Sequence, residues 1–196
     1  MTKASSTRFT ILEKAFELIY KKGYQTTSID EIIATTKVTK GAFYYHFKTK
    51  DKMGVAIIDE IVKPTMQSAF LTPLNSALTP VDAIYIMIET LLLETPFLLP
   101  EYGCPIGNLT QEMTPWNSEF SKALNKLVLE WQTALESSIK KGIKSGDLSS
   151  ETNPEQVAYF ILSSYWGIRN FGKVFNSTDC YHTYLTELKT YLKYLK

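Results

Sequence analysis

The stretch Thr26 to Lys50, TTSIDEIIATTKVTKGAFYYHFKTK, leaves the backbone that carries it few choices. Ser28 is followed three residues later by Glu31, the reciprocal capping box that opens a helix. Ile29, Ile32 and Ile33 give that helix one apolar side. Lys37-Val38 falls at a tight turn, and Thr39 can cap a second helix that runs to about Phe47. The second helix has two unlike faces. Phe43 and Phe47, four apart, point into a core, whereas Lys40 and Tyr44, also four apart, share a different side. Gly41 beside them lets a partner come close to the backbone, and Tyr45, His46, Lys48 and Lys50 flank the same region. A small cationic and aromatic helix face beside a capped neighbour is what a helix-turn-helix offers to the major groove of DNA. Lysine can hydrogen-bond guanine O6 and N7 there, and tyrosine can reach a thymine methyl or a phosphate.

The rest of the chain reads as helices. Ser6 or Thr7 can cap a first helix whose stripe is Ile11, Leu12, Ala15, Phe16 and Ile19, closed by Lys21, Lys22 and a left-handed Gly23. Lys50-Asp51-Lys52 opens a longer helix that Pro64 kinks or ends, and Leu71 to Thr79 reads as a loop. Thr79-Pro80 starts a helix to Glu94 that is apolar nearly all round and therefore buried. The segment from Pro96 to Pro105 is apolar and broken by prolines. A long helix follows from about Asn117 to Ser145, with Phe120, Leu124, Leu127, Val128, Trp131, Leu135 and Ile139 inward. Asn153-Pro154-Glu155-Gln156 caps another that runs to about Phe175. Tyr181, Leu185, Leu188, Leu192 and Leu195 recur at heptad-like spacing, suited to packing one helix along another. No strand alternation of any length is present, so the expected class is all-α.

Composition narrows the function classes. Residues 1–52 carry ten lysines and arginines against five acids, in a chain of 196 residues whose formal net charge is only +1. A basic segment on an acidic remainder suits a protein that meets a polyanion with one end. No run is long and apolar enough to span a bilayer, and the start, MTKASSTRF, lacks the apolar core of an export signal. Cys104 and Cys180 are too few for a disulfide framework, which fits a reducing cytoplasm. An enzyme with a helical fold is the competing class. Against it, the chain has no phosphate-binding glycine loop, no His-Glu-x-x-His cluster and no nucleophile elbow, and no catalytic residue, metal or cofactor is expected.

The run Gly23-Tyr24, Thr27-Ser28, Ile32, Val38-Thr39-Lys40-Gly41, Phe43-Tyr44-Tyr45-His46-Phe47 and Lys50 resembles the DNA-binding segment of the TetR family of bacterial transcription regulators. The segment Gly103-Cys104-Pro105-Ile106-Gly107-Asn108-Leu109 resembles one subgroup of that family. The resemblance implies a helix-turn-helix domain over residues 1–50 and a helical effector-binding and dimerisation domain over 51–196. It implies that Lys40, Gly41 and Tyr44 face bases, while Thr39, Tyr45, His46, Lys50 and the backbone near Ser28 serve phosphates. Ala42 stands where many relatives have Ser or Thr, and Lys37 where many have Gly; its side chain either adds a phosphate contact or is solvated. The implied partners are double-stranded DNA with a palindromic operator, a second copy of the chain, and a small-molecule inducer of unknown identity, with no membrane.

Candidate dimer residues are Trp166, Gly167, Asn170, Phe171, Leu185, Leu188 and Leu192, although the last two helices can equally be core. Met87, Phe97, Tyr102, Cys104, Met113, Trp116, Phe120 and Trp131 either line an effector pocket or pack as core. Cys104 is either a reactive sensor thiol, aided by a helix N-terminus after Gly107, or a small buried hydrophobe. The implied action is that of a repressor released by its ligand; an activator of the same architecture is the alternative.

Overall fold

The computed structural model describes residues 3–196, with side chains from Ser5 onward. All regular elements among the described residues are helical. Helix α1 spans Lys3–Lys22 and buries Ile11, Leu12, Ala15 and Ile19. Ser6 and Thr7 lie inside it instead of capping it, and Thr10 Oγ1 donates back to the Ser6 carbonyl at 3.0 Å. Gly23 closes it as expected: φ is 98°, and its N–H donates to Ile19 O at 2.8 Å. Helices α2 (Ile29–Thr36) and α3 (Lys40–His46) follow.

Helix α4 (Lys50–Ile57) is capped by Thr49, whose hydroxyl accepts from Lys52 N at 3.1 Å. It continues through a widened π-helical turn, Ile58–Val62, into α5 (Lys63–Leu74). Pro64 stands just beyond that turn. It has no N–H to give, and its ring crowds the carbonyl four residues back, so a widened turn accommodates it where a regular helix would break. The Thr65 hydroxyl donates to the Ile61 carbonyl at 2.5 Å. Leu71 to Leu74, expected in a loop, remain helical.

Two compact units emerge. The first joins Met1–Thr65 with Pro105–Lys126, and the second joins Met66–Cys104 with Leu127–Lys196. This differs from a simple boundary at residue 50. Helix α7 (Pro105–Met113) and the first turns of α8 (Ser118–Ser145) fold with α1 to α4. Phe120 is fully buried edge-on against Tyr24, with ring centroids 4.9 Å apart. Asn117 donates to Asp51 at 2.9 Å, and Tyr24 OH donates to the same carboxylate at 2.6 Å. Gln25 N–H donates to the Glu112 carboxylate at 3.0 Å. These links join positions far apart in the chain, so local patterning carries no trace of them.

In the second unit, α6 (Pro80–Glu89) starts on the Thr79 cap and ends in a second π-helical turn, Thr90–Glu94. Helix α9 (Pro154–Phe175) is capped by Asn153, and α10 (Asp179–Lys193) packs on α6 and α9. Leu185, Leu188 and Leu192 are 3%, 3% and 0% exposed within this single chain. They are therefore core, which corrects their assignment to a surface for a partner. Heptad-like spacing announces an apolar stripe, and helices of the same chain can satisfy it.

Arg169 on α9 is completely buried. It donates to the carbonyls of Leu98 at 3.0 Å, Leu99 at 3.2 Å and Gly103, and it lies 5.6 Å from the Tyr181 ring. One guanidinium thus caps three carbonyls of the proline-broken segment.

Candidate nucleic-acid interface

The helix-turn-helix forms as its caps dictate. Ser28 Oγ accepts from Glu31 N at 3.1 Å, while Ser28 N–H donates to Glu31 Oε2 at 2.8 Å. A salt bridge from Lys22 at 2.8 Å holds the same carboxylate. The Lys22 contact, with the Ser28 hydrogen bonds, lowers the Glu31 pKa to about 2. Of the backbone amides near Ser28 expected to serve phosphate, that of Ser28 itself is thus engaged by a carboxylate. Lys37 ends α2 at φ 57° and ψ 19°, the left-handed conformation that glycine adopts without strain. Its side chain is exposed.

Thr39 caps α3, its hydroxyl oxygen accepting from Ala42 N at 3.2 Å. Phe43 and Phe47 are buried, anchoring one side of this short helix. The opposite side is open. Lys40 is exposed and reaches Asp30 at 3.1 Å, which raises its pKa. A Cβ at Gly41 would meet nothing nearer than Thr39 Oγ1, 4.0 Å away. Tyr44 is 39% exposed and braced edge-on by Phe43, and Tyr45 is 75% exposed beside His46. Lys40, Gly41, Tyr44 and Tyr45 therefore form one solvent-facing surface on a helix whose other side is fixed in a core.

Lys50 does not join that surface. Its ammonium turns inward, donating to Tyr24 O at 2.6 Å and lying 4.3 Å from the Tyr24 ring centroid. Burial pushes its pKa down, against the opposing pull of Asp51, Glu112 and Glu31. The expected phosphate ligand is instead a brace for the turn between α1 and α2.

Arg8 gave no sequence signal, because its partners lie 38 and 52 residues away. It pairs with Glu60 through two nitrogens, donates to the His46 carbonyl at 3.3 Å and covers the Phe47 ring at 4.4 Å.

The eight candidate pocket residues do not form one set. Met113, Trp116 and Phe120 belong to the first unit, and Trp116 is 79% exposed, so it lines no enclosed site. Phe120 is packing for Tyr24. In the second unit, Trp131 stacks on Phe70 at 4.6 Å and Met87 is fully buried, while Phe97 and Tyr102 are half-buried. Cys104 is 2% exposed and directly precedes α7, which starts at Pro105 and not after Gly107. That burial favours the packing reading of its side chain.

Comparison with known proteins agrees with this geometry. Residues 11–57 match the model of the bacterial regulatory proteins of the tetR family, and residues 92–188 match the tetracyclin repressor-like C-terminal domain. An uncharacterized HTH-type transcriptional regulator from the lacX 3' region of Lactococcus lactis subsp. lactis is 34% identical over 127 residues, which is 65% of either chain. The HTH-type transcriptional repressor DhaR of Mycobacterium sp. (strain GP1) is 25% identical over 80% of this chain and 77% of its own length. A TetR-family regulator from Cytophaga hutchinsonii superposes with a TM-score of 0.89 at 21% identity, over 100% of this chain and 98% of that one, which shows the shared fold. With both family segments matched in order, the chain belongs to the TetR family of bacterial transcription regulators.

Proposed function

We propose that this regulator is a repressor that binds a palindromic operator as a homodimer and releases it when a small molecule enters the second unit. The observation that carries the reading is the α3 surface, where exposed Lys40, Gly41 and Tyr44 stand on a helix fixed from behind by Phe43 and Phe47. One helix of this length reads too few bases for useful specificity. A two-fold pair reading half-sites about 34–36 Å apart doubles the site.

The dimer surface lies on α9. Phe171 is 56% and Val174 78% exposed, and a Cβ at Gly167 would meet nothing within 4 Å. With Asn170 they continue along one face of the helix, an apolar stripe of the kind that a second copy covers. The match of residues 92–188 to the tetracyclin repressor-like C-terminal domain supports a small-molecule effector in the second unit. Kinship to a protein named as a repressor supports the sign of the response. A duplex partner of this kind supports a cytoplasmic location.

The test starts from a duplex selected by the protein out of a random library. We expect a two-fold-symmetric consensus, binding that weakens steeply with salt, and reduced expression from a promoter carrying that duplex. Lys40→Ala should cost about 1–3 kcal/mol on this duplex and relax specificity at one base pair of each half-site. Salt-insensitive binding without a consensus would overturn the reading.

A further inference from the structure

We infer that Arg8 is a positioning residue for DNA readout: it ties the C-terminus of the recognition helix α3 to the π-helical turn at Ile58–Val62. The inference rests on the DNA-binding reading above and assigns a part of its mechanism to residues outside the helix-turn-helix.

The geometry is a three-way junction. On one side, Arg8 Nε and Nη2 both reach the Glu60 carboxylate, in the paired arrangement that fixes a guanidinium plane. On another, Nη1 donates to the His46 carbonyl at 3.3 Å. That carbonyl belongs to the last turn of α3, where carbonyls lack helical partners and a nearby cation is favoured. On the third, the guanidinium lies over Phe47, the residue at which α3 ends. α3 is only seven residues long, so its own hydrogen bonds define its direction poorly. Its N-terminus is held by Thr39 and its C-terminus by Arg8. Tilting that C-terminus swings Tyr44 and Tyr45 across whatever α3 faces.

Glu60 gives the junction its second meaning. It sits within the widened turn before Pro64, where the helical hydrogen bonding is already irregular. A shift of register there moves the carboxylate, and Arg8 carries that displacement to α3. Lysine cannot replace arginine in this role, because a single ammonium does not span both acceptors in a fixed plane.

The experiment uses the full chain, the selected duplex and a scrambled duplex of equal length. Arg8→Lys retains the charge; Glu60→Gln alters the junction without touching any cation. Both should weaken the selected duplex about tenfold, the size of one lost bidentate base contact, leave the scrambled duplex within about twofold, and preserve the unfolding midpoint. Equal loss on both duplexes with a flatter salt slope would make Arg8 a phosphate ligand and overturn the inference. A large fall in the midpoint with parallel losses would make it merely structural, and unchanged binding would remove it from readout. Failure of the wild type to select a duplex would refute the DNA-binding reading itself, an outcome separate from these.

Discussion

Gly41→Ala should stabilise the protein and weaken its DNA binding at once. Gly41 is the second residue of α3, its φ is not positive, and an added Cβ would approach no atom closer than 4.0 Å. Nothing in the fold requires glycine there. Alanine is favoured over glycine in a helix interior by about 0.8–1.0 kcal/mol, and somewhat less in a first turn. For a chain of this size that corresponds to a rise of about 2–4 °C in Tm. The same methyl group would stand on the surface shared by Lys40 and Tyr44, where the proposed reading brings the backbone close to a base edge. Displacing one good base contact costs about 1–3 kcal/mol, hence roughly tenfold or more in Kd. Thermal unfolding and fluorescence anisotropy on the selected duplex measure the two effects separately. A higher Tm with unchanged affinity would place Gly41 away from the DNA. A lower Tm would show that the local backbone needs glycine after all, and the argument from open space would fail.

Lys50→Met should lower stability by about 1–2 kcal/mol, from the lost charged hydrogen bond to Tyr24 O and the lost ring contact, and leave the salt slope of DNA binding nearly unchanged; a flattened slope at constant stability would restore Lys50 to the phosphates. Glu31 titrates at about 2 in the folded protein against an ordinary 4.5, so the stability it contributes is complete above pH 4.5 and is lost as the pH falls toward 2. Glu31→Gln should therefore flatten the acid limb of a Tm-versus-pH curve in that window, and an unaltered limb would count against the capping box as its source. Phe171→Glu with Val174→Glu should give folded monomers in sedimentation, whereas Leu188→Asp should unfold the second unit, because only the former pair is exposed in the chain. Soluble, folded Leu188→Asp monomers would reverse that assignment.

Features that act over a few residues were legible in the sequence. The Ser28–Glu31 box, the Thr39, Thr79 and Asn153 caps, the Gly23 stop and the division of α3 into a buried Phe43–Phe47 side and an open Lys40–Tyr44 side all follow from neighbours within one or two helical turns. Lys37 takes a left-handed conformation at the turn that the sequence placed at Lys37-Val38. These signals depend on backbone chemistry that is the same in any surroundings, so sequence determined the class of fold and which side of α3 stays open.

What only the tertiary structure decided is which groups meet across long stretches of chain. The stripe Leu185, Leu188, Leu192 was plain, but its periodicity could not say whether α6 and α9 or a second copy would cover it. Lys50 looked like one more cation beside the recognition helix until the Tyr24 carbonyl and ring drew it inward. Arg169 buried beneath the Leu98–Gly103 carbonyls, Phe120 wedged against Tyr24, and Arg8 bridging Glu60 and His46 are pairings across tens of residues. A side chain's propensity and charge are local properties, but its partner depends on how the whole chain closes on itself, and no short window of sequence contains that information.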